Sequence, residues 1–233
     1  MAPFFYVQEM KNQREQVLAA FYDMVSANKQ EMFDNLSELR TRHMAIVVEN
    51  MYQQHNASAV VRSCDLFGFQ DLHIIENEFK YQVDPEIAKG ATQWIDLKQY
   101  TSKKNATKDC INQLRNEGYK IVATSPHKKS VTIHDLDITP KTAIMFGTEW
   151  TGLSDTALEM ADEYVHIPMY GFTESFNVSV SAALVMHTLR NRLENSEIDW
   201  KLSPEEIIEL KISWCKQILR NANVMEEEII KRL

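Results

Sequence analysis

Two polar side chains interrupt an otherwise apolar stretch, HNASAVVRSCDLFGF, which runs from His55 to Phe69. Asn56 stands near its start, and Arg62 stands among small and apolar residues. Arginine is rarely buried without a partner, so Arg62 either binds a group outside the helix or forms a surface ion pair with Asp65, three residues on. Asn56 has an ordinary interpretation as the N-cap of a predicted helix. Taken alone, each residue favours the structural interpretation over a chemical one.

Three further segments carry glycines and small polar groups where predicted strands end. They are ATSP (residues 123–126), FGTEWTG (146–152) and IPMYGFTESFN (167–177). Open parallel sheets bind ligands at the carboxyl ends of their strands, so a nucleotide-like cofactor held by backbone groups suits these segments. The G-x-G-x-x-G, P-loop, H-E-x-x-H, C-x-x-C and G-x-S-x-G patterns are missing from the sequence. The seven histidines are scattered, and no metal site is expected.

Short β-branched runs alternate with amphipathic segments from residue 43 onwards. This alternation predicts an α/β fold with a mostly parallel sheet. Helices are expected at both ends of the chain, over residues 8–39 and 203–233, and Ser203-Pro204 is a typical helix start. Predicted strands cover residues 43–50, 71–76, 92–100, 119–125, 142–149 and 163–169, and predicted helices cover 56–68, 107–118, 154–162 and 177–195. Ser154 is the expected N-cap of the helix at 154–162.

Three patterns occur in these segments: N-x-x-x-x-x-R at Asn56 and Arg62; G-x-E-x-x-G at Gly147, Glu149 and Gly152; and I-P-M-x-G followed by S-x-N-V-S at Ile167, Pro168, Met169, Gly171 and Ser175–Ser179. In this order they resemble the three motifs of the SpoU family of RNA 2′-O-methyltransferases. Phe176 stands where leucine is usual in the third motif, and Trp150 fills a variable position in the second. Both changes leave the polar groups of the motifs in place.

The resemblance runs from about residue 43 to 195 and implies three regions. These are an N-terminal helical extension (1–42), a methyltransferase domain (43–195) and a C-terminal helical extension (196–233). The family fold is an α/β domain whose C-terminal part forms a trefoil knot around the S-adenosylmethionine site, and its members are usually homodimers. The segment KGATQWIDLK (89–98) is most similar to the branch that methylates guanosine 18 in the D-loop of tRNA.

The same resemblance implies roles for individual residues. Arg62 is expected to bind an RNA phosphate and to stabilise the alkoxide that forms on the acceptor ribose, because a guanidinium keeps its proton and is a poor base. Asn56 is expected to position Arg62 or the cofactor loop. Glu149 is expected near the charged end of S-adenosylmethionine and near the acceptor nucleotide. Ser175 and Asn177 are expected to hold the third-motif loop against cofactor and ribose. The residues expected to bind the cofactor through their backbone are Thr124, Gly147, Ile167, Met169 and Phe176.

Charge and composition fit a tRNA-binding enzyme only locally. The net charge of −8 opposes nucleic-acid binding, but residues 98–129 hold eight basic residues against two acids. That segment is either a solvated helix face or a surface that holds tRNA by its backbone, together with the terminal helices. Three widely spaced cysteines, no signal peptide and no long apolar run predict a cytoplasmic protein without disulfides or membrane helices.

Two alternatives remain open from the sequence. The first is an enzyme of the same fold that methylates ribosomal RNA or another tRNA position. The second is a catalytically silent RNA-binding or assembly factor, which the presence of Asn56, Arg62, Glu149 and Asn177 argues against.

Overall fold

The computed structural model describes residues 4–102, 105–125 and 129–233, and the chain divides into two compact units. One unit comprises residues 41–200. The other comprises the described residues up to Arg40 together with residues 201–233. The terminal segments, treated above as two extensions, therefore belong to the same unit. No helix among the described residues is long and apolar enough to cross a membrane.

The order of helices and strands follows the alternation expected from the sequence. A short helix (α4) and a two-residue strand (β5) add to the expected set, and a 3₁₀ turn at Ala91–Gln93 replaces the start of the strand expected at 92–100. The helices are α1 Phe4–Tyr22, α2 Ala27–Ser37, α3 Gln54–Phe67, α4 Pro85–Ala88, α5 Ala106–Asn116, α6 Asp155–Met160, α7 Val178–Glu194, α8 Pro204–Ile218 and α9 Ala222–Arg232, and the strands are β1 Met44–Glu49, β2 Asp71–Ile75, β3 Asp96–Tyr100, β4 Lys120–Thr124, β5 Val131–Thr132, β6 Thr142–Phe146 and β7 Glu163–His166.

The strands form one seven-stranded sheet in the order β3-β2-β1-β6-β4-β7-β5. Every pairing between these strands is parallel, which confirms the predicted α/β class. The carboxyl ends of β4, β6 and β7 therefore lie at the same edge of the sheet. The trefoil knot implied by the family resemblance stays a prediction.

Strand β1 shows how the sequence fills both faces of the sheet. All six of its residues are buried. Met44, Ile46 and Val48 pack into the cluster that holds the apolar residues of α3 and α7. Ala45 and Val47 point to the other face, against α5 and α6. Because successive side chains of a strand alternate between faces, an unbroken apolar run is what a central strand between two helical layers requires.

Both long terminal helices expected from the sequence are divided. The backbone of Ser26 is extended (φ −61°, ψ 147°) and separates α1 from α2. The side-chain amide of Gln30 compensates there, because its Nε2 donates to the carbonyl oxygens of Tyr22 (2.6 Å) and Val25 (2.8 Å). Asn221, in the left-handed region at φ 56°, separates α8 from α9. Apolar periodicity continues across both breaks, so it could not reveal them.

Candidate functional site

A cavity of about 400 Å³ opens at the carboxyl ends of β4, β6 and β7. This volume lies within the range of small-molecule and cofactor sites. It is lined by all five residues predicted to bind the cofactor, namely Thr124, Gly147, Ile167, Met169 and Phe176, and also by Glu149 and Ser175.

The charge of the cavity wall is one-sided. Glu149 and Glu174 line it, and no lysine or arginine lines it among the described residues. A phosphate-bearing ligand would meet carboxylates without a cation to bind it. A ligand that carries positive charge is favoured instead.

The second-motif loop, Gly147 to Gly152, is closed by backbone hydrogen bonds. The Thr148 amide donates to the Gly152 carbonyl (3.0 Å), and the Gly152 amide donates to the Thr148 carbonyl (3.1 Å). A Cβ added at Gly147 would lie 2.0 Å from the carbonyl carbon of Gly152. Gly152 itself has φ +69°, where residues with a Cβ are strained. The two glycines of the motif therefore permit a turn that places Glu149 on the cavity wall.

A polar cluster joins the three motifs. The side-chain Nδ2 of Asn56 donates to Oε1 of Glu149 (3.0 Å), and Nδ2 of Asn177 donates to the same oxygen. Asn177 Nδ2 also donates to Oδ1 of Asn56 (3.1 Å). Asn56 is only 2% exposed. Residues separated by up to 121 positions in the chain thus converge on one carboxylate. Its hydrogen-bond donors are neutral amides, and no basic side chain of the described residues pairs with it.

Asn56 and Asn177 were both expected at helix starts, and only Asn177 is an N-cap. Asn177 caps α7, because its Oδ1 accepts from the amides of Ser179 (2.9 Å) and Val180 (3.3 Å). The expectation that Asn56 caps α3 is wrong. That helix begins at Gln54, so Asn56 lies in its first turn and turns its amide toward Glu149. The ordinary role of Asn177 and its place in the cluster are therefore compatible.

Arg62 lies outside this cluster. It is exposed on α3 and makes no side-chain hydrogen bond or ion pair within residues 4–102, 105–125 and 129–233. Six residues along a helix correspond to a rotation of about 120° from Asn56, and Arg62 does not line the cavity of its own chain. The surface ion pair with Asp65 is not formed, and neither is a contact by which Asn56 would position Arg62.

Comparisons with known proteins identify the family. The family model described as "SpoU rRNA Methylase family" matches residues 43–187. A tRNA (guanosine(18)-2′-O)-methyltransferase from Borreliella burgdorferi is 41% identical over 205 residues, which are 88% of this chain and 92% of that protein.

The chain belongs to the SpoU rRNA Methylase family.

Two further matches come from Aquifex aeolicus. A tRNA (guanosine(18)-2′-O)-methyltransferase of that organism is 31% identical over 181 residues, 76% of this chain and 84% of that protein. A crystal structure described as an A. aeolicus TrmH/SpoU tRNA modifying enzyme superposes with a TM-score of 0.73 at 28% identity and covers 83% of this chain and 98% of that one. The family and the parallel α/β fold implied by the sequence motifs are confirmed, and the trefoil knot stays a prediction.

Sequence reasoning missed two side chains that complete the cluster of this SpoU-family protein. Ser179 Oγ lies 2.6 Å from Oδ1 of Asn177 and 3.2 Å from Oδ1 of Asn56. Gln53 Oε1 accepts from Asn56 Nδ2 at 2.7 Å. Ser179 is the last residue of the third motif, so the motif itself indicated it. Nothing in the sequence signalled Gln53.

A second carboxylate, that of Glu49, holds the chain that follows the second-motif loop. Glu49, at the end of β1, is 1% exposed. Its Oε1 accepts from the hydroxyls of Thr107 (2.5 Å) and Ser154 (2.8 Å), and its Oε2 accepts from the Ser154 amide (2.8 Å). Ser154 is also the predicted N-cap of α6, which the contact of its hydroxyl with the Ala157 amide confirms. Glu49 therefore anchors the chain that leaves the second-motif loop.

The basic segment is less positive in space than in sequence. Lys98 pairs with Glu117 (3.2 Å), Arg115 with Asp162 (2.8 Å) and Lys120 with Glu163 (2.7 Å). Two of these acids lie outside residues 98–129, so the count along the chain did not include them. Lys108 and Lys129 are exposed, whereas Lys103, Lys104 and Lys128 lie outside the described residues. No group of three His, Cys, Asp or Glu side chains among the described residues is arranged to bind a metal ion.

Proposed function

We propose that this protein transfers a methyl group from S-adenosylmethionine to the 2′-hydroxyl of guanosine 18 in tRNA. The observation that carries the proposal is the convergence of the three motifs on one acidic cavity through the hydrogen bonds of Asn56, Glu149 and Asn177. The names of the relatives at 41% and 31% identity support guanosine 18 of tRNA as the acceptor. The proposed location of the enzyme is the cytoplasm, where tRNA substrates are found.

The cavity suits S-adenosylmethionine in size, backbone and charge. This cofactor supplies a methyl group that is activated by a positively charged sulfur. Glu149 and Glu174 complement its positive charges. The backbone of Gly152 occupies the position that a Cβ of Gly147 would take, so these two backbone segments can meet at the cavity wall only with glycine at position 147. The backbone of Thr124, Ile167, Met169 and Phe176 would hold the adenosine and methionine portions, and Ser175 stands at the same wall. No metal is needed in this arrangement.

The acceptor hydroxyl is a poor nucleophile until it loses its proton. We assign to Arg62 the binding of an adjoining RNA phosphate with its planar guanidinium, which also stabilises the negative charge that develops on the acceptor oxygen. The proton passes to that phosphate, because arginine retains its own. Asn56 and Asn177 position Glu149 and the two loops rather than touch the reacting atoms.

The proposed enzyme is a homodimer in which Arg62 serves the cavity of the partner chain. Two observations support this. Arg62 is exposed and does not line the cavity of its own chain. Aliphatic side chains are also exposed on the same two helices that carry the first and third motifs: Leu66 is 70%, Val180 45% and Leu184 39% exposed. An exposed apolar surface of this kind is typical of an interaction site.

Holding tRNA also requires contacts away from the acceptor. We assign backbone contacts to the exposed lysines of residues 98–129 and to the terminal helices, as positively charged groups bind phosphates without regard to sequence. Lys108 and Lys129 are the exposed members among the described residues.

Two transcripts test the acceptor. One is an unmodified tRNA, and the other carries 2′-deoxyguanosine at position 18 and lacks only the proposed acceptor oxygen. Single-turnover reactions with labelled S-adenosylmethionine, in the presence of EDTA, are expected to methylate the first and not the second. Equal methylation of both transcripts would place the acceptor elsewhere, and methylation that requires a divalent ion would contradict the metal-free site.

Mixed dimers test the shared site. One protomer carries Arg62→Ala, and the other carries Gly147→Ala in its cavity. If Arg62 acts on the partner, half of the dimers in an equal mixture hold one complete site, so activity recovers to about a quarter of that of the unmodified enzyme. If Arg62 acts within its own chain, the mixture stays as inactive as its components. Light scattering on each variant checks that dimers persist.

A further inference from the structure

An aromatic platform, defined as Tyr52, Phe79 and Trp150, stands beside the polar cluster. Trp150 is 84% exposed, and Tyr52 and Phe79 are 41% and 45% exposed. The rings of Tyr52 and Phe79 are in contact, with centroids 5.4 Å apart and an interplanar angle of 48°. The indole Nε1 of Trp150 donates to the Tyr52 hydroxyl at 3.0 Å. Three exposed aromatic side chains from separate loops thus contact one another at the surface.

The exposed indole is held in place from two directions. Its own hydrogen bond to Tyr52 fixes the ring, and the loop that carries it is closed by the paired backbones of Thr148 and Gly152. The Thr148 hydroxyl adds a bond to the Thr151 amide at 3.0 Å. Because the N–H group is already used, what Trp150 still offers is the face of its ring. A face of this kind stacks on flat π systems, and every nucleobase has one.

The platform is connected to the cluster by a continuous chain of hydrogen bonds. Tyr52 Oη accepts from both Trp150 Nε1 and Gln53 Nε2 (3.1 Å), and Gln53 Oε1 accepts from Asn56. Trp150 follows Glu149 directly in sequence and lines the cavity with it. The position of the indole is therefore fixed relative to the groups that surround the proposed acceptor.

We propose that Trp150, supported by Tyr52 and Phe79, is the stacking surface for the base of the acceptor nucleotide. The inference rests on the proposed function and identifies how its substrate is held. A ribose 2′-hydroxyl that enters a cavity has to leave its helical neighbours, and its base then loses its stacking partners. Proteins that bind unstacked RNA bases supply aromatic side chains in their place. The Tyr52 hydroxyl, which accepts two hydrogen bonds, keeps its own hydrogen for a base or ribose oxygen.

A second copy of the chain is the competing occupant of this surface. The exposed side chains of α3 and α7 assigned above to the dimer are aliphatic. The platform differs from them, since it is aromatic, has a hydroxyl at its centre and adjoins the cavity. These features match a nucleotide better than an aliphatic protein surface.

Two substitutions test the stacking directly. Trp150→Leu removes the ring but keeps an apolar side chain, and Trp150→Phe restores an aromatic face. Loss of stacking is expected to lower kcat/KM for tRNA by about 5- to 150-fold in Trp150→Leu, with substantial recovery in Trp150→Phe. Trp150→Phe is the matched control, because it keeps an aromatic face at the same position and shares any effect of the substitution on the loop. A loss in Trp150→Phe as large as that in Trp150→Leu would overturn the proposal.

The RNA side of the contact is tested with abasic nucleotides that keep their 2′-hydroxyl. An abasic residue at position 18 is expected to slow the unmodified enzyme by a similar factor but to change the rate of Trp150→Leu by less than about 2-fold, since the stacking partner is already gone. Coupling of Trp150 to position 17 or 19 instead would reject the acceptor base as the occupant.

Fluorescence and mass measurements separate the remaining explanations. Binding of tRNA is expected to quench tryptophan emission in the unmodified enzyme and to leave most of that quench absent in Trp150→Leu. If Trp150→Leu instead shifts the protein from dimer to monomer in light scattering, the platform is a subunit contact and the inference fails. Failure of the unmodified enzyme to methylate position 18 would refute the proposed function, whereas normal methylation by Trp150→Leu would refute the stacking surface alone.

Discussion

Replacing Arg62 with alanine should separate the chemistry of the first motif from its structural role. In the structure Arg62 is exposed, and it makes no side-chain hydrogen bond or ion pair within the described ranges. The substitution therefore removes no hydrogen bond or ion pair within these ranges, and the free energy of unfolding should change by no more than about 0.5 kcal/mol. The methylation rate should fall by about 100- to 1000-fold, as when a donor to a developing oxyanion is removed.

Arg62→Lys sharpens the same prediction. An ammonium keeps the positive charge but cannot reproduce the planar, two-pronged grip of a guanidinium on phosphate. If Arg62 binds phosphate in that manner, lysine should restore little of the rate. If Arg62 supplied only positive charge near the RNA, lysine should restore most of it.

Asn56 provides the contrasting case on the same helix. Its side chain is buried and bonded to Gln53, Glu149, Asn177 and Ser179. Asn56→Ala leaves several of these groups without one partner, which should lower the free energy of unfolding by about 1–3 kcal/mol. Activity should fall as well, because Glu149 loses a contact that orients it.

The assay combines single-turnover methylation of a tRNA transcript with urea unfolding and with calorimetric binding of S-adenosylhomocysteine. The Arg62 variants should bind the cofactor product with nearly unchanged affinity while losing turnover. A fully active Arg62→Lys enzyme, or an Arg62→Ala enzyme that loses stability as Asn56→Ala does, would refute the reasoning.

Three other substitutions probe the support of the site. Gly147→Ala should abolish measurable binding of S-adenosylhomocysteine, since its Cβ would lie 2.0 Å from backbone, whereas Gly171→Ala, with no atom nearer than 4.0 Å, should bind it normally. Glu49→Gln should lower the free energy of unfolding by about 1–3 kcal/mol, because its NH2 group would face donors such as the Ser154 amide; an unchanged urea midpoint would contradict this. Burial lowers the pKa of His73 from 6.5 to about 4. The neutral ring therefore contributes stability above pH 6.5 that is lost as the pH falls toward 4. Lowering the pH from 7 to 5 should reduce the free energy of unfolding of the unmodified protein by up to about 2 kcal/mol more than that of His73→Gln. Parallel dependences of the two free energies on pH would disprove this prediction.

Local patterns in the sequence predicted the fold because the sheet depends on them. The run at Met44–Glu49 is apolar at every position, and all of its residues are buried. The caps at Ser154 and Ser203 are also local signals, and both form as expected. The breaks at Ser26 and Asn221 were missed because they depend on backbone angles that apolar periodicity does not encode.

The site was predictable as a set of residues but not as a set of contacts. The motifs identified Asn56, Glu149 and Asn177, yet no pattern along the chain indicates that Glu149 is shared by the two amides. The N-cap assigned to Asn56 failed for the same reason, since a partner 93 residues away uses its side chain. Likewise, the acids that neutralise Arg115 and Lys120 approach them only after folding.

The hydrogen bonds of Glu149 are compatible with the roles proposed for Glu149 and Arg62. A carboxylate on a cavity wall would ordinarily attract a nearby cation, and an arginine bound to it would have to leave that ion pair before it could hold a phosphate. Here the side-chain amides of Asn56 and Asn177 both donate hydrogen bonds to Oε1 of Glu149, and neither amide carries a charge. Glu149 is thereby satisfied without a basic side chain, which suits its proposed role toward a cationic cofactor and the proposed role of Arg62 toward RNA. In the proposed dimer, amides at positions 56 and 177, rather than basic residues, would let one site bind a cationic cofactor and an RNA phosphate side by side.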